Sequence, residues 1–204
     1  MDEQLVMGAT LALVAYVVGS IPFGVVVSRL LGTIDPRTAG SRNVGFTNVL
    51  RVGGKQAGFL TLAGDMGKGG LMAWMARHVM TDEAVVLAVA LAVILGHLYS
   101  VFLGFKGGKG VATALGVALG LHVLLGVLLL GIWLLTVAVW RYSSGGALAA
   151  FGLFPVAAVG FRQSAVFIGF ACITSGLIWF RHKDNVARLW NGTESRIGQA
   201  GKRL

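Results

Sequence analysis

Residues 5–31 carry a single charged side chain, Arg29, and further apolar runs follow at 53–80, 84–104, 111–124, 125–140, 145–161 and 164–180. A helix needs about 20 mostly apolar residues to cross the roughly 30 Å of bilayer hydrocarbon. Inside lipid each backbone N–H and C=O must be satisfied internally, which restricts spanning segments to helices or closed barrels. The runs predict an all-α integral membrane protein with seven transmembrane helices, some of them short or broken, in one membrane-embedded domain over residues 1–204. Composition agrees: 12% of the residues are charged and mean hydropathy is +0.80, against about 25% charged in soluble domains. The first run is not read as a cleavable signal, because Asp2 and Glu3 precede it and no small-residue cleavage site follows.

Two runs call for a break. Residues 111–140 are split because Gly116, Gly120 and Gly126, with His122, read as a turn between two short helices. Run 53–80 contains Asp65 and Lys68. Bare charges at bilayer depth are expensive, so this run is expected to break, with 64–70 lining a polar cavity.

Seven spans put the termini on opposite sides. With the C-terminus inside, the inner loops and tail hold Arg29, Arg37, Arg42, Arg51, Lys55, Lys68, Lys106, Lys109, Arg141, Arg181, Lys183, Arg188, Arg196, Lys202 and Arg203, which is 15 of the 17 Lys and Arg. Only Arg77 and Arg162 fall outside. Cytoplasmic loops collect Lys and Arg, so the expected orientation is N-terminus out and C-terminus in. The net charge of +9 is thus largely a topology signal and no pointer to nucleic acid. It does not explain why the cations sit inside glycine-rich motifs.

Four inner segments carry those motifs. Residues 37–51 crowd Gly40, Ser41, Arg42, Asn43, Gly45, Thr47, Asn48 and Arg51 into one loop. Glycine lets backbone amides approach a ligand, successive amides form anion-binding nests, and arginine grips phosphate with two parallel hydrogen bonds. Residues 64–70 pair Asp65 with Lys68 between apolar flanks, either as a structural charge pair or as part of a site. Residues 97–113 run from His97 through Lys106, Gly107, Gly108, Lys109 and Gly110 to Thr113. Two lysines among glycines just before a helix are suited to cradling phosphate. The spacing is not that of a P-loop, since Gly110 follows Lys109 and Leu103 stands where the first glycine is required. The fourth segment is Arg141–Gly145, with the tail Arg181, His182, Lys183, Asp184 and Asn185; a basic stretch after a helix also anchors at anionic headgroups.

Other chemistries lack their residues. The His78 to Asp82 spacing is one short of the histidine–acid signature of soluble acyltransferases, and it falls on the outer side. No Cys/His/Asp cluster has metal-ligand spacing, no Gly-x-Ser-x-Gly elbow is present, and the single Cys172 lies in an apolar run. No metal or other cofactor is expected.

The segments 19–24 (GSIPFG), 40–51 (GSRNVGFTNVLR), 64–69 (GDMGKG), 96–113 (GHLYS…FKGGKGVAT), 141–144 (RYSS) and 181–194 (RHKDNVARLWNGTE) occur in this order. They resemble the bacterial acyl-phosphate:glycerol-3-phosphate acyltransferase family over nearly the whole chain. Phe46 stands where that family usually has alanine, and Arg42 where a small or variable residue is common; neither departure removes a needed charge. The resemblance implies transfer of a fatty acyl group from acyl phosphate to the 1-hydroxyl of sn-glycerol 3-phosphate, giving lysophosphatidate and phosphate, as the first acylation of phospholipid synthesis. It implies a multi-pass protein of the bacterial cytoplasmic membrane, with the site facing the cytoplasm. Its partners would be the two substrates and the lipid bilayer.

By resemblance, Ser41, Arg51, Lys109, His182 and Asn185 would be catalytic. Gly40, Arg42, Asn43, Gly45, Thr47, Asn48, Asp65, Lys68, His97, Lys106, Gly107, Gly108, Gly110, Thr113 and Ser143 would bind substrate. His182, Asp65 and the substrate's own phosphate stand as alternatives for the base, and His97 reads equally as a structural histidine. Acyl phosphate is already activated, so positioning and charge stabilisation suffice, which accounts for the absence of a nucleophile–base triad. The rival reading is a transporter or channel for a phosphorylated anion, which broken helices and buried charges also suit. Against it stand the lack of an internal repeat and the gathering of the polar motifs on one side.

Overall fold

The computed structural model describes residues 3–198, which leaves Lys202 and Arg203 of the charge tally outside the described residues. Among those residues all regular structure is helical: α1 (Glu3–Ser20), α2 (Phe23–Leu30), α3 (Phe46–Val79), α4 (Glu83–Leu98), α5 (Val111–Leu121), α6 (Val123–Trp140), α7 (Ser143–Gly160), α8 (Ala165–Arg181) and α9 (Lys183–Trp190), with one 3₁₀ turn at Val101–Leu103.

The breaks are local and chemical. The run 5–31, expected as one helix, divides at Ile21–Pro22, because proline lacks an N–H and keeps the preceding residue out of helical geometry. The long α3 begins at Phe46, before the expected start, and kinks at Gly54, whose φ of 86° and ψ of 179° suit only glycine. The break expected at 64–70 is absent. There Asp65 and Lys68 remain helical and pair across one turn at 2.9 Å. Pairing, rather than unwinding, is how this helix accommodates two charges. The expected split of 111–140 does occur, at His122, whose Nδ1 caps α6 by accepting the Leu125 N–H. Gly116, Gly120 and Gly126 lie within helices rather than in that turn.

Those glycines serve helix crossing. A Cβ at Gly116 would lie 2.0 Å from Met66 O, and one at Gly120 would lie 2.6 Å from Gly70 O. With no hydrophobic force to press helices together in lipid, close backbone approach through small residues supplies the packing. Here it seats the short α5 directly on α3. At 1.5 Å per residue, the 11 residues of α5 fall well short of a bilayer. By length and composition four single stretches can cross (Glu3–Ser20, Glu83–Leu103, Val123–Trp140, Ser143–Gly160), and α8 with α9, bent by 62°, makes a fifth.

The surface is apolar, and polar side chains lie inside beside an apolar core. Leu13, Leu124, Leu135 and Val156 are each more than 60% exposed, while Asn48, Thr61, Asp65, Lys68, His97 and Thr113 are buried. The N-terminal ends of α3, α5 and α7 and the C-terminal ends of α1, α4, α6 and α8 gather at one end, joined by Thr47–Ser143, Lys109–Asn185, Ser20–Ser100 and Arg141–Ile197 hydrogen bonds. The 80–82, 121–122 and 161–164 connections, with Arg77 and Arg162, occupy the other end.

Candidate active site

The loop before α3 is organised by one side chain. Asn48, buried on the first turn, donates to the carbonyls of Pro36, Ala39 and Asn43 at 2.9, 3.1 and 2.9 Å, and its Oδ1 accepts the Ser41 N–H at 2.9 Å. Its polar atoms are committed to the loop's own backbone, so Asn48 shapes this loop. Asn43 Oδ1 accepts the Gly45 N–H at 2.8 Å. These turns hold Arg42 at a φ of 57°, leave Arg42 and Ser41 exposed, and place Gly40 on Asn48. Thr47 and Ser143 share a 2.8 Å hydrogen bond between the first turns of α3 and α7. Arg51 reaches the tail, donating to Ser195 Oγ at 3.0 Å.

The glycine loop 104–110 folds against the end of α4. Gly107 and Gly108 donate to Leu98 O and His97 O at 3.2 and 3.0 Å. A Cβ on Gly108 would lie 2.2 Å from His97 Nε2, so only glycine fits there. Lys106 is exposed, whereas Lys109 turns inward and donates to Asn185 Oδ1. Gly110, at φ 83°, opens α5, and Thr113 sits buried two residues into it, its hydroxyl without a partner among the described residues.

Asn185 passes the chain of bonds onward. Its Nδ2 donates to Glu194 Oε1 at 2.6 Å, the Ser144 hydroxyl donates to the same oxygen at 2.6 Å, and Arg188 Nε donates to Oε2 at 2.7 Å. Burial alone would raise the Glu194 carboxyl pKa, but these hydrogen bonds outweigh it and hold the pKa below the usual range. Lys109 is lowered as well, but against its charged form: burial, then the positive charge of Arg188, lower its pKa to about 8. His182 is buried at the α8–α9 junction with Nδ1 2.8 Å from Ile178 O. A carbonyl can only accept, so Nδ1 carries the proton and Nε2 keeps its lone pair. Burial lowers the His182 pKa to about 4, and the ring is neutral at neutral pH.

Asp65, Lys68 and His97 come together, though one layer deeper. His97 Nδ1 lies 3.4 Å from Asp65 Oδ1, and Lys68 also donates to Ile21 O at 2.7 Å. The crevice beside them, bordered by Ser20, Phe23, Val44 and Ser100, is too narrow for a water molecule. They form the floor behind Gly108, while the Lys109 cluster forms the open face.

Sequence reasoning named most of the open face and missed Glu194, Ser144, Arg188 and Arg181. Glu194 was detectable as the single acid between Asn185 and the C-terminus, in a basic tail where a lone acid reads as solvated.

Chemically the arrangement suits an anion. The starts of α3 and α7 meet at the Thr47–Ser143 bond, and the loop before α5 is linked to the start of α7 through Asn185 and Glu194; a helix start carries N–H groups without intrahelical partners and the positive end of its dipole. Arg51, Lys109 and Arg188 add full charges, against the one carboxylate of Glu194.

Residues 9–192 match the family model described as glycerol-3-phosphate acyltransferase. A glycerol-3-phosphate acyltransferase of Bordetella petrii is 48% identical, covering 98% of this chain and 97% of its own length. One from Burkholderia ambifaria is 49% identical, over 94% of this chain and 91% of its own. The crystal structure of PlsY (YgiH), an integral membrane glycerol 3-phosphate acyltransferase, superposes with a TM-score of 0.89 in its glycerol 3-phosphate form. It is 38% identical and covers 94% of this chain and 96% of that one. Its lysophosphatidic acid form gives 0.87 at 37% identity, over the same shares of the two chains.

Proposed function

The chain belongs to the glycerol-3-phosphate acyltransferase family, and on that premise we propose that it transfers a fatty acyl group from acyl phosphate to the 1-hydroxyl of glycerol 3-phosphate, releasing lysophosphatidate and phosphate. The observation that supports this most is the run from Lys109 through Asn185 and Glu194 to Ser144, which ties a glycine-rich loop to the start of α7 among clustered cations.

Both substrates carry phosphate, and the receptor holds more cationic and N–H groups than one anion needs. An anion at Lys109 and the start of α5 has its charge balanced as the acyl–oxygen bond breaks, which is the stabilisation this reaction requires. Ser41, Arg42, Arg51 and Lys106 border the opening and suit the second phosphate. A thioester places no phosphate at the reacting carbonyl. For the base, magnitudes decide. His182 with a pKa near 4 is about two units weaker than a phosphate monoester, whose second pKa is about 6. The substrate's own phosphate is the better acceptor for the hydroxyl proton, and His182, its Nδ1–H held by Ile178 O, fixes the turn that presents Asn185.

The proposed setting is a single catalytic unit in the bacterial cytoplasmic membrane. α1, α3, α4, α6, α7 and α8 cross, and the short α5, seated on α3 and preceded by the recessed 104–110 loop, completes a seventh pass that it is too short to make alone; the N-terminus lies outside, and the receptor opens to the cytoplasm. The deciding experiment assays purified protein in phospholipid nanodiscs with glycerol 3-phosphate and either palmitoyl phosphate or palmitoyl-CoA. Phosphate release and lysophosphatidate with the first donor, and at least 100-fold slower turnover with the second, are expected. Comparable rates with both donors would refute the acyl-phosphate assignment.

A further inference from the structure

Arg181, the last residue of α8, points at the glycine loop rather than at the open face. Its Nη2 donates to both Gly107 O and Gly108 O at 2.9 Å, and its Nε donates to Gly108 O at 3.1 Å. The guanidinium also lies over the Tyr99 ring, 5.7 Å from its centroid. A trans peptide points its C=O and N–H in opposite directions. With Gly108 O drawn to Arg181, the Lys109 N–H is aimed away from it, and neither this N–H nor that of Gly110 donates to any described residue. The next residue along from Arg181 is His182, so one side chain links the loop bearing Lys109 to the turn bearing His182 and Asn185.

We propose that Arg181 is a positioning residue for phosphate: by holding Gly107 O and Gly108 O it fixes the Gly108–Lys109 peptide plane, so that the Lys109 N–H joins the Lys109 ammonium on one anion, with the unpartnered Gly110 N–H next along the chain. This rests on reading the loop as a phosphate cradle. The role needs the planar fork of a guanidinium. Lysine, a point charge on a flexible stem, preserves the charge and loses the simultaneous hold on both carbonyls.

The test uses inorganic phosphate as probe, by isothermal titration calorimetry on the wild type, Arg181→Lys and Arg181→Ala in phospholipid nanodiscs, with helix melting followed by circular dichroism. Both variants are expected to bind phosphate at least tenfold more weakly while melting within about 3 °C of the wild type. Methylguanidinium at tens of millimolar should restore Arg181→Ala and leave Arg181→Lys unchanged. Wild-type affinity in Arg181→Lys would reduce the role to charge and overturn the fork. A lowered melting temperature with phosphate affinity intact would make Arg181 merely structural, and overturns the inference too. A wild type that binds no phosphate would bring down the cradle reading itself, an outcome distinct from variants that bind as well as the wild type.

Discussion

Raising the pH from 7 to 9.5 should weaken phosphate recognition and strengthen the fold at the same time, and both trends trace to Lys109. Burial and the neighbouring Arg188 lower its pKa to about 8 in the free protein. A phosphate dianion against Nζ replaces lost solvation and returns the pKa toward its ordinary value of about 10.4. Between those values the free protein has shed its proton and the complex retains it. Binding therefore takes up a proton, and affinity falls toward about tenfold per pH unit above 8, or roughly 30-fold between pH 7 and 9.5. The sign for folding is opposite. The unfolded chain binds more protons than the folded one between about 8 and 10.4, so this residue's contribution to stability rises across that interval; at neutral pH its burial costs roughly 3 kcal/mol. The assay is kcat/KM for each substrate, which reports ionisations of the free enzyme, alongside phosphate calorimetry in buffers of different ionisation enthalpy. Lys109→Ala should lose about 10- to 100-fold at pH 7, the worth of one charge-assisted hydrogen bond of about 1.5–3 kcal/mol. The variant should show no alkaline limb and should converge with the wild type by about pH 9.5. A wild-type profile flat from pH 7 to 9.5, or a limb that persists in Lys109→Ala, would refute the argument.

Further outcomes can be measured directly. An impermeant thiol reagent applied to intact cells, in a Cys172→Ser background, should label Asp82→Cys and reach Thr38→Cys only after permeabilisation; the reverse pattern would invert the topology. Gly108→Ala places a Cβ 2.2 Å from His97 Nε2 and should cut kcat/KM at least tenfold, whereas Gly67→Ala, with nothing within 4 Å, should leave it within twofold. Asp65→Ala strands Lys68 in the interior with its carboxylate partner gone and should destabilise by about 3–5 kcal/mol in denaturant titration; a loss under 1 kcal/mol would show that Lys68 does not depend on the pair. The His182 pKa near 4 lies below its unfolded value of about 6.5. The folded ring should therefore stay neutral down to pH 5 by ¹⁵N NMR, with the proton on Nδ1, and its contribution to stability should be lost as pH falls from 6.5 to 4.

The open face was largely legible because its residues cluster in sequence: the Ser41–Arg51 loop, the Lys106–Gly110 loop and the His182–Asn185 tail each declare themselves locally. What was not legible depends on contacts across the fold. The break assigned to 64–70 came from pricing Asp65 and Lys68 as bare charges; His97, which completes their pairing at 3.4 Å, is too distant in sequence to reveal itself. The kink at Gly54 was hidden among 31 glycines, since no local pattern marks which of them takes a positive φ. Glu194 and Arg181 read as one solvated acid and one topology arginine until the structure supplied their partners. Family membership sets aside the transport reading, which motif chemistry alone had left standing.

The 62° turn from α8 into α9 bears on how a greasy donor arrives. α9 leaves the bundle sideways, with Trp190 91% exposed, beside the His182–Asn185 turn. Indole side chains settle at the depth of lipid headgroups, which in the proposed topology puts the receptor where hydrocarbon meets water. On the proposed reaction, a palmitoyl phosphate would then diffuse in the plane of the bilayer and present its headgroup sideways, with its tail still in the membrane. Extracting that tail into water would cost about 0.8 kcal/mol per methylene, or roughly 11 kcal/mol for a 14-methylene chain. On that reading encounter becomes a two-dimensional search, governed by the surface density of the donor in the membrane and not by its vanishing concentration in the cytosol.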